Sequence, residues 1–282
     1  MGVPYTMEKN LNEEFERQDI LLVDQSYPLV FQKGDAYLSS QGALDTRAQE
    51  AANFHKTCLP LIRDLSPNSI ACIDVGANIG ITTIVLSQIA RSLARGKVVT
   101  NIIAIEPGPT SFECLKINVR NLSNVTPVNY ALGSRAGRLT FVNAESNSSA
   151  SHLIADGKLE KGGCLVQRLD YVVDSLSLPH VGFIKIDVEG YEKNVLQGAV
   201  HTIEKYNPWI YFEFNSWTQI AYGGVNPKDF IDYLQDWFHV IHRVNKSTGV
   251  LEPISKQSAI AFLHSNLIYS GCVDDLVVRL EE

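Results

Sequence analysis

A short segment containing an acid and two glycines has the clearest chemical meaning in this sequence. Asp74–Gly80 follows an apolar run, and its glycines, Gly76 and Gly80, stand four residues apart. Glycine adopts backbone conformations that other residues avoid, and it lets a ligand approach closely. The helical spacing of apolar residues in 81–93 places the segment at a helix N terminus, whose free N–H groups suit a carboxylate or phosphate. The segment therefore predicts a nucleotide-type ligand.

The spacing of these glycines distinguishes between two classes of ligand. A dinucleotide fold requires Gly-x-Gly-x-x-Gly, whereas Ala77 and Asn78 stand here where the second glycine belongs. A pyrophosphate would lose its closest backbone approach and would face the negative charge of Asp74. S-adenosylmethionine instead carries an ammonium and a sulfonium group. Glu106 ends the next apolar strand and is placed to accept hydrogen bonds from both ribose hydroxyls. We therefore expect S-adenosylmethionine at this turn.

A second group of acids follows two later strands. Asp187 ends the predicted strand 183–187, Glu189 lies two residues further, and Glu213 ends the predicted strand 209–214. Methyl transfer to an alcohol requires a general base or a metal, because an alcohol is a poor nucleophile at neutral pH. Two close carboxylates can take different pKa values and serve as base and orienter. We predict that Asp187, Glu189 and Glu213 are catalytic.

The same acids leave a metal site open as an alternative. Asp187, Glu213 and Asn215 would offer oxygen ligands suited to Mg²⁺. Hydrogen bonding between neighbouring loops is the more common role of such side chains, so we assign no metal ligands. Lys185 shares a strand face with Asp187 and would neutralise the acids, and His152 is a weaker candidate for the base.

The elements that must position these residues form a regular pattern from residue 69 onward. Apolar runs alternate with helical segments through short connections, which predicts a doubly wound α/β domain with a mostly parallel sheet. The pattern is interrupted at 134–168 by an inserted β pair, 139–142 and 165–168. Seven core strands are expected, at 70–75, 102–106, 125–130, 183–187, 209–214, 238–244 and 258–264.

The region before this pattern is predicted to be a separate extension. Residues 1–68 contain two short apolar stretches and a helix that Asp45 caps. The expected domains are therefore an N-terminal extension, 1–68, with its helix packed on the core, and a cofactor-binding domain, 69–282.

Composition and charge exclude several classes of partner. The formal net charge is −7 and no block of Lys and Arg is present, which argues against a nucleic-acid partner. Five scattered cysteines without a Cys-x-x-Cys pair indicate reduced thiols. No run approaches the ~18 apolar residues of a membrane span, and no signal peptide is recognised. We expect a cytoplasmic protein, and its oligomeric state is not set by any pattern.

Five strings of residues together carry a resemblance to the FkbM family of methyltransferases. The most specific is the Lys-Ile-Asp-Val-Glu-Gly-Tyr-Glu part of the fourth string, and the resemblance spans roughly residues 70–215. The strings are Cys72–Gly80, Ala104–Pro107, Asn129–Gly133, Ile184–Glu192 and Val195–Ala199.

This resemblance implies a Rossmann-like class I methyltransferase fold and methyl transfer from S-adenosylmethionine, commonly to a hydroxyl oxygen on a sugar or secondary metabolite. It places Ala131 and Leu132 by the adenine, Ser149 near the cofactor, and Asp187 opposite the methyl group. The residues expected to hold the cofactor are Asp74, Gly76, Asn78, Gly80, Glu106, Ala131, Leu132, Ser149 and Asp187.

Three functions remain in consideration. The favoured one is an O-methyltransferase acting on a small hydroxylated molecule or a glycan. The missing middle glycine argues against a nicotinamide-dependent oxidoreductase. A non-catalytic cofactor-binding scaffold is the third, and the acids Asp187, Glu189 and Glu213 argue against it because a scaffold has no need of them.

Overall fold

The first elements of the fold are a hairpin and a long helix. The computed structural model describes residues 14–65, 69–93, 98–142, 144, 147–154 and 163–281. Strands β1 (Phe15–Leu22) and β2 (Gln25–Gln32) are antiparallel, and helix α1 (Gln41–Arg63) follows. The helix begins before the predicted cap at Asp45, because the Ser40 side chain accepts the Ala43 N–H and caps it instead.

From residue 69 onward strands and helices alternate as predicted. The elements in chain order are β3 (Ser69–Val75), α2 (Ile81–Ser92), β4 (Val98–Ile105), α3 (Pro109–Val119), β5 (Val125–Val128), β6 (Ala131–Leu132), β7 (Gly137–Val142), β8 (His152–Ile154), β9 (Cys164–Gln167), α4 (Leu169–Ser175), β10 (His180–Ile186), α5 (Glu192–Gln197), α6 (Val200–Tyr206), β11 (Trp209–Asn215), α7 (Ser216–Ala221), α8 (Pro227–Trp237), β12 (Val240–Val244), β13 (Leu251–Pro253), α9 (Ala259–Tyr269) and β14 (Val273–Arg279).

The central sheet has the strand order β13–β12–β14–β11–β10–β3–β4–β5. The five strands β5, β4, β3, β10 and β11 are parallel, whereas β14 is antiparallel to β11 and to β12. The predicted Rossmann-like α/β fold with a mostly parallel sheet is confirmed, and β13 adds a short eighth strand at the edge. The carboxyl ends of the parallel strands therefore meet at one edge, where ligands bind in such folds.

The predicted last strand at 258–264 is wrong. This segment belongs to helix α9, and the last strand is β14. A short apolar run such as Ala259–Leu263 has the same signature in a buried helix as in a buried strand, so its pattern did not distinguish the two. The segment between β10 and β11 contains two short helices, α5 and α6. The chain turns between them at Gly198, where a Cβ atom would collide with the Gly133 carbonyl oxygen.

The inserted segment forms a second sheet with the order β6–β9–β7–β8. The predicted pair corresponds to β7 and β9, which are antiparallel, and β6 and β8 extend it on either side. This second sheet stands beside the carboxyl edge of the central sheet, because β6 follows β5 directly.

Two hydrophobic clusters cover the two faces of the central sheet, and alternate strand residues enter each cluster. The hairpin and α1 share the first cluster with α2 and α3, and the Phe54 ring packs edge-on against Phe183 and Tyr211. Helix α1 is thus fixed against the sheet near its functional edge. The domain boundary between residues 68 and 69 stays a prediction. Within the described ranges no helix is long and apolar enough to cross a membrane.

A stability prediction concerns Asp170 on α4, whose buried carboxylate accepts the N–H groups of His201 and Thr202 at the start of α6. We expect Asp170→Ala to lower the free energy of unfolding by about 2–3 kcal/mol, because buried donors lose their acceptor. Urea denaturation measures this. The control Asp174→Ala removes an exposed acid from the same helix and should change the value by less than about 0.5 kcal/mol. Equal effects of the two substitutions would contradict the capping role.

Candidate functional site

The turn after β3 is held in place by backbone hydrogen bonds to the neighbouring strand. The N–H groups of Gly76 and Ala77 donate to the Ile105 carbonyl oxygen at 2.9 and 3.0 Å. Gly76 has a φ of +75°, and a Cβ atom there would collide with the carbonyl oxygen of Asp187. Only glycine therefore allows the turn to lie against the end of β10. Gly80 (φ +99°) caps α2 and packs closely against Leu115.

Lys185 is buried beneath this turn and joins two strand ends. Its Nζ lies 3.3 Å from Asp74 Oδ1 and 3.4 Å from Asp187 Oδ2, and it donates a hydrogen bond to the Gly76 carbonyl oxygen at 3.0 Å. Burial alone would lower the pKa of Lys185, but the carboxylates of Asp187 and Asp74 together raise it above its usual value. The ammonium therefore stays charged and cross-links the turn to β3 and β10.

Asp74 is buried and has a structural role at this turn. Its fully buried carboxylate accepts hydrogen bonds from the Thr82 and Thr83 hydroxyls at 2.8 and 2.6 Å, which ties the end of β3 to the start of α2. Neither Asp74 nor Gly80 borders the cavity described below. A direct contact from either residue to a ligand stays a prediction.

Glu106 directly follows β4, beside the same turn. Its Oε2 accepts the Asn78 N–H at 2.8 Å and its Oε1 accepts the Gly108 N–H at 2.7 Å. Burial raises the pKa of Glu106 to about 7, although both N–H donors act in the opposite direction. The carboxyl group borders the cavity, so it can still accept hydrogen bonds from a ligand.

A cavity of about 330 Å³ runs along the carboxyl edge of the sheet, a volume in the usual range for small-molecule sites. One end, which we call the cofactor end, is bordered by five of the predicted cofactor residues together with parts of the inserted sheet. The side chain of Ser149 lies outside the part of the chain that the structure describes. The principal residues of the cofactor end are Gly76, Asn78, Glu106, Ala131, Leu132, Phe141, Ser148 and His152.

The three predicted catalytic acids lie together at the middle of the cavity. One carboxylate oxygen from each of Asp187, Glu189 and Glu213 lies within 4.8 Å of the others. Burial, and then the charge of Asp187, raises the pKa of Glu189 to about 9 and raises that of Glu213 well above its ordinary value. The cluster can therefore hold a shared proton, or its oxygens could surround a divalent cation.

The sequence suggested Asn215 as a possible oxygen ligand for a metal, but its side chain has another role in the structure. Asn215 Oδ1 accepts the Trp217 and Thr218 N–H groups and caps α7, while its Nδ2 donates to Glu213. The Asn215 side chain thus caps a helix, and Glu189 is the third acid that lies beside Asp187 and Glu213.

The far end of the cavity, which we call the acceptor end, uses residues that sequence reasoning missed. The N-terminal region contributes Tyr37, Arg47, Glu50, Asn53 and Phe54, and the C-terminal part of the sheet contributes Tyr211, Lys246 and Asp275. Asp275 is the cross-strand partner of Glu213, so a correct placement of β14 would have revealed it.

His152 and the aromatic residues Tyr191, Trp217 and Tyr222 have different positions relative to the cavity. His152 borders the cavity, and its ring stacks on that of Tyr222 at a centroid distance of 3.5 Å, which joins the inserted sheet to α7. Tyr191 is buried in a small cluster with Val166, and Trp217 is exposed beside Tyr222. Tyr191, Trp217 and Tyr222 do not border the cavity as described.

Comparisons with known proteins show which proteins this chain is similar to. Residues 74–240, more than half of the chain, match the model of the methyltransferase FkbM domain. The hexuronic acid methyltransferase AglP of Haloferax volcanii is 28% identical over 166 residues, which cover 58% of this chain and 60% of that protein. The match therefore spans less than two thirds of the relative's length.

Solved structures give more distant similarities. Methyltransferase FkbM from Methylobacillus flagellatus has 16% identity and a TM-score of 0.45, covering 75% of this chain and 44% of that one. M. jannaschii TYW2 in complex with AdoMet has 13% identity and a TM-score of 0.40, covering 93% and 84%. These similarities are too distant to bear on the residues of the site. The match of the family model over residues 74–240 shows that the protein belongs to the FkbM methyltransferase family.

Proposed function

We propose that the protein transfers the methyl group of S-adenosylmethionine to a hydroxyl oxygen of a small molecule or glycan. The observation that carries the proposal is the continuity of one cavity from the turn and Glu106 to the acids Asp187, Glu189 and Glu213. A donor and an acceptor can meet in such a cavity away from bulk water. The relative named for a hexuronic acid supports a sugar acceptor.

The residues at the cofactor end fit the proposed donor. Asn78 Oδ1 is buried and has no hydrogen-bond partner within the described ranges, so it offers an acceptor to an ammonium group. The start of α2, where Ile81 and Thr82 border the cavity, suits a carboxylate. Glu106 would accept hydrogen bonds from the ribose hydroxyls. Gly76 would allow close approach at the backbone, Ala131 and Leu132 would lie by the adenine, and Ser149 would lie near the cofactor.

The acids would prepare the acceptor. When bound, S-adenosylmethionine supplies a methyl group attached to a positively charged sulfur. The acceptor oxygen would attack the methyl carbon in line with the C–S bond, and S-adenosylhomocysteine would leave. Glu189 would remove the hydroxyl proton of the acceptor, and Glu213 would share that proton because one oxygen of each carboxyl group lies within 4.8 Å of the other. Asp187, fixed by Lys185, would orient the acceptor between the two ends of the cavity.

The direct test of this function is the formation of S-adenosylhomocysteine with a panel of sugars and phenols. We expect product with at least one hydroxylated acceptor, because the cavity holds both a donor site and ionisable groups. S-adenosylhomocysteine binding without product for any acceptor would instead support a non-catalytic scaffold.

A second prediction concerns the pH dependence of cofactor affinity. The ribose hydroxyls require an ionised Glu106, and its pKa of about 7 means that the ionised form is lost as the pH falls. We expect the dissociation constant of S-adenosylhomocysteine to rise roughly 10-fold between pH 8 and pH 6, and Glu106→Gln to bind weakly with no such dependence. Calorimetry measures both. The control Glu113→Gln alters an exposed acid on α3 and should keep the wild-type dependence. A Glu106→Gln protein with an unchanged pH dependence would contradict the assignment.

A third prediction concerns the general base. Because the pKa of Glu189 is raised to about 9, its base form increases with pH, and we expect kcat to rise towards pH 9. Glu189→Gln should lower kcat about 10²–10³-fold and remove this rise, with little change in S-adenosylhomocysteine affinity. The exposed Glu204→Gln on α6 is the control.

A chelator distinguishes the base from a metal site. Activity of the wild-type protein should persist in EDTA. Activity that is lost in EDTA and restored by Mg²⁺ would show that the three acids hold a cation, which would contradict the role of Glu189 as the base.

A further inference from the structure

The charged residues of the acceptor end are unevenly distributed between acids and bases. Among the described residues, the acids that border the middle and the acceptor end of the cavity are Glu50, Asp187, Glu189, Glu213 and Asp275, and the bases are Arg47, Lys185 and Lys246. Acids thus outnumber bases at the surface that an acceptor would contact.

Each of the three bases already has a carboxylate partner from the protein itself. Arg47 Nη1 lies 2.8 Å from Glu50 Oε2, and Lys246 Nζ lies 3.6 Å from Asp275 Oδ2. Lys185 is held by Asp187 and by the buried Asp74. The described part of the cavity therefore offers no free cation to an anionic ligand.

The Glu50 carboxylate lies close to two of the cations, Arg47 and Lys246. Burial raises its pKa, while the nearby charges of Arg47 and then Lys246 lower it, so both cations act on the one carboxyl group. The Tyr37 ring covers the other side of Arg47, with 4.2 Å between the guanidinium carbon and the ring centroid. Glu50 thus fills the position where a carboxylate or phosphate of an acceptor would be neutralised.

The helix that carries Glu50 is fixed by the surrounding structure, while the Glu50 side chain itself is half-exposed and is held by its ion pair with Arg47. Asn53, one turn further along α1, donates to the Lys246 carbonyl oxygen at 2.6 Å and ties the helix to the loop after β12. Phe54 is buried against the sheet, so α1 cannot withdraw without exposing it. An anionic acceptor would therefore have to displace Glu50 from its cations or enter without a partner, and an unpaired charge in a partly buried site is unfavourable.

We propose that Glu50 and Asp275 determine acceptor specificity by occupying the cations of the acceptor end, so that the protein selects an uncharged polyol and rejects uronic acids and sugar phosphates. In this it would differ from the relative AglP, whose name gives a hexuronic acid as the substrate. The inference rests on the proposed function and names its substrate class. Hydroxyl groups both donate and accept hydrogen bonds, so they can bind to the paired carboxylate, guanidinium and amide groups here without separating a charge pair.

The test uses matched pairs of glycosides that differ only in an uncharged CH₂OH group or a carboxylate at the same carbon, such as methyl glucoside with methyl glucuronide and methyl galactoside with methyl galacturonide. S-adenosylhomocysteine formation is measured for each with the wild-type protein. We expect the uncharged member to have a kcat/KM at least 10-fold higher. A uronide that is methylated as well as its uncharged partner, or better, would overturn the proposal.

A binding measurement keeps this result separate from the proposed function. Calorimetry follows methyl glucuronide binding to the protein loaded with S-adenosylhomocysteine. We expect Glu50→Gln to gain at least 10-fold in affinity because Arg47 loses its carboxylate partner. Asp45→Asn, the same charge change at an exposed position of α1, should show no gain. No gain with Glu50→Gln would overturn the role of Glu50, even if no glycoside is methylated and the proposed function fails.

Discussion

The buried ammonium of Lys185 is the interaction on which the rest of the site depends. A charge in the centre of a sheet is tolerated only when it is paired, and Lys185 is paired with Asp74, its cross-strand partner, and with Asp187. Its third bond, to the Gly76 carbonyl oxygen, fixes the turn over the end of β10. One side chain thereby sets the distance between the proposed donor site and the acids that would act on the acceptor.

The order of the strands in the central sheet places the acids of the site in a row. Glu106 follows β4, Asp187 follows β10, Glu213 lies near the end of β11, and Asp275 faces Glu213 from β14. Because these strands lie side by side at one edge, the acids form a row from the cofactor end to the acceptor end. Helix α1 closes the row on one face of the sheet, since its apolar side packs into the same cluster as β3 and α2.

Local sequence pattern was sufficient for the parts of the fold whose signals are local. The Asp74–Gly80 turn, the buried parallel strands and the acids at their ends were predicted because each depends on neighbouring residues. The position of β14 was missed because the apolar run in α9 resembles a strand. The roles of Arg47, Glu50 and Asp275 were missed because they arise from packing α1 and β14 against the sheet, which no local pattern records. The chain spacing of Asn215 suggested a ligand, whereas its side chain caps a helix that the sequence pattern did not predict.

The central claim is that the turn after β3, held by Lys185, binds S-adenosylmethionine and not a dinucleotide. Isothermal titration of the intact protein with S-adenosylmethionine, S-adenosylhomocysteine and NAD measures this most directly. We expect saturable binding of the first two and no heat of binding with NAD. Asn78 stands where a dinucleotide site needs a glycine, and the acids of the cavity would repel a pyrophosphate. Saturable binding of NAD alone would contradict the account.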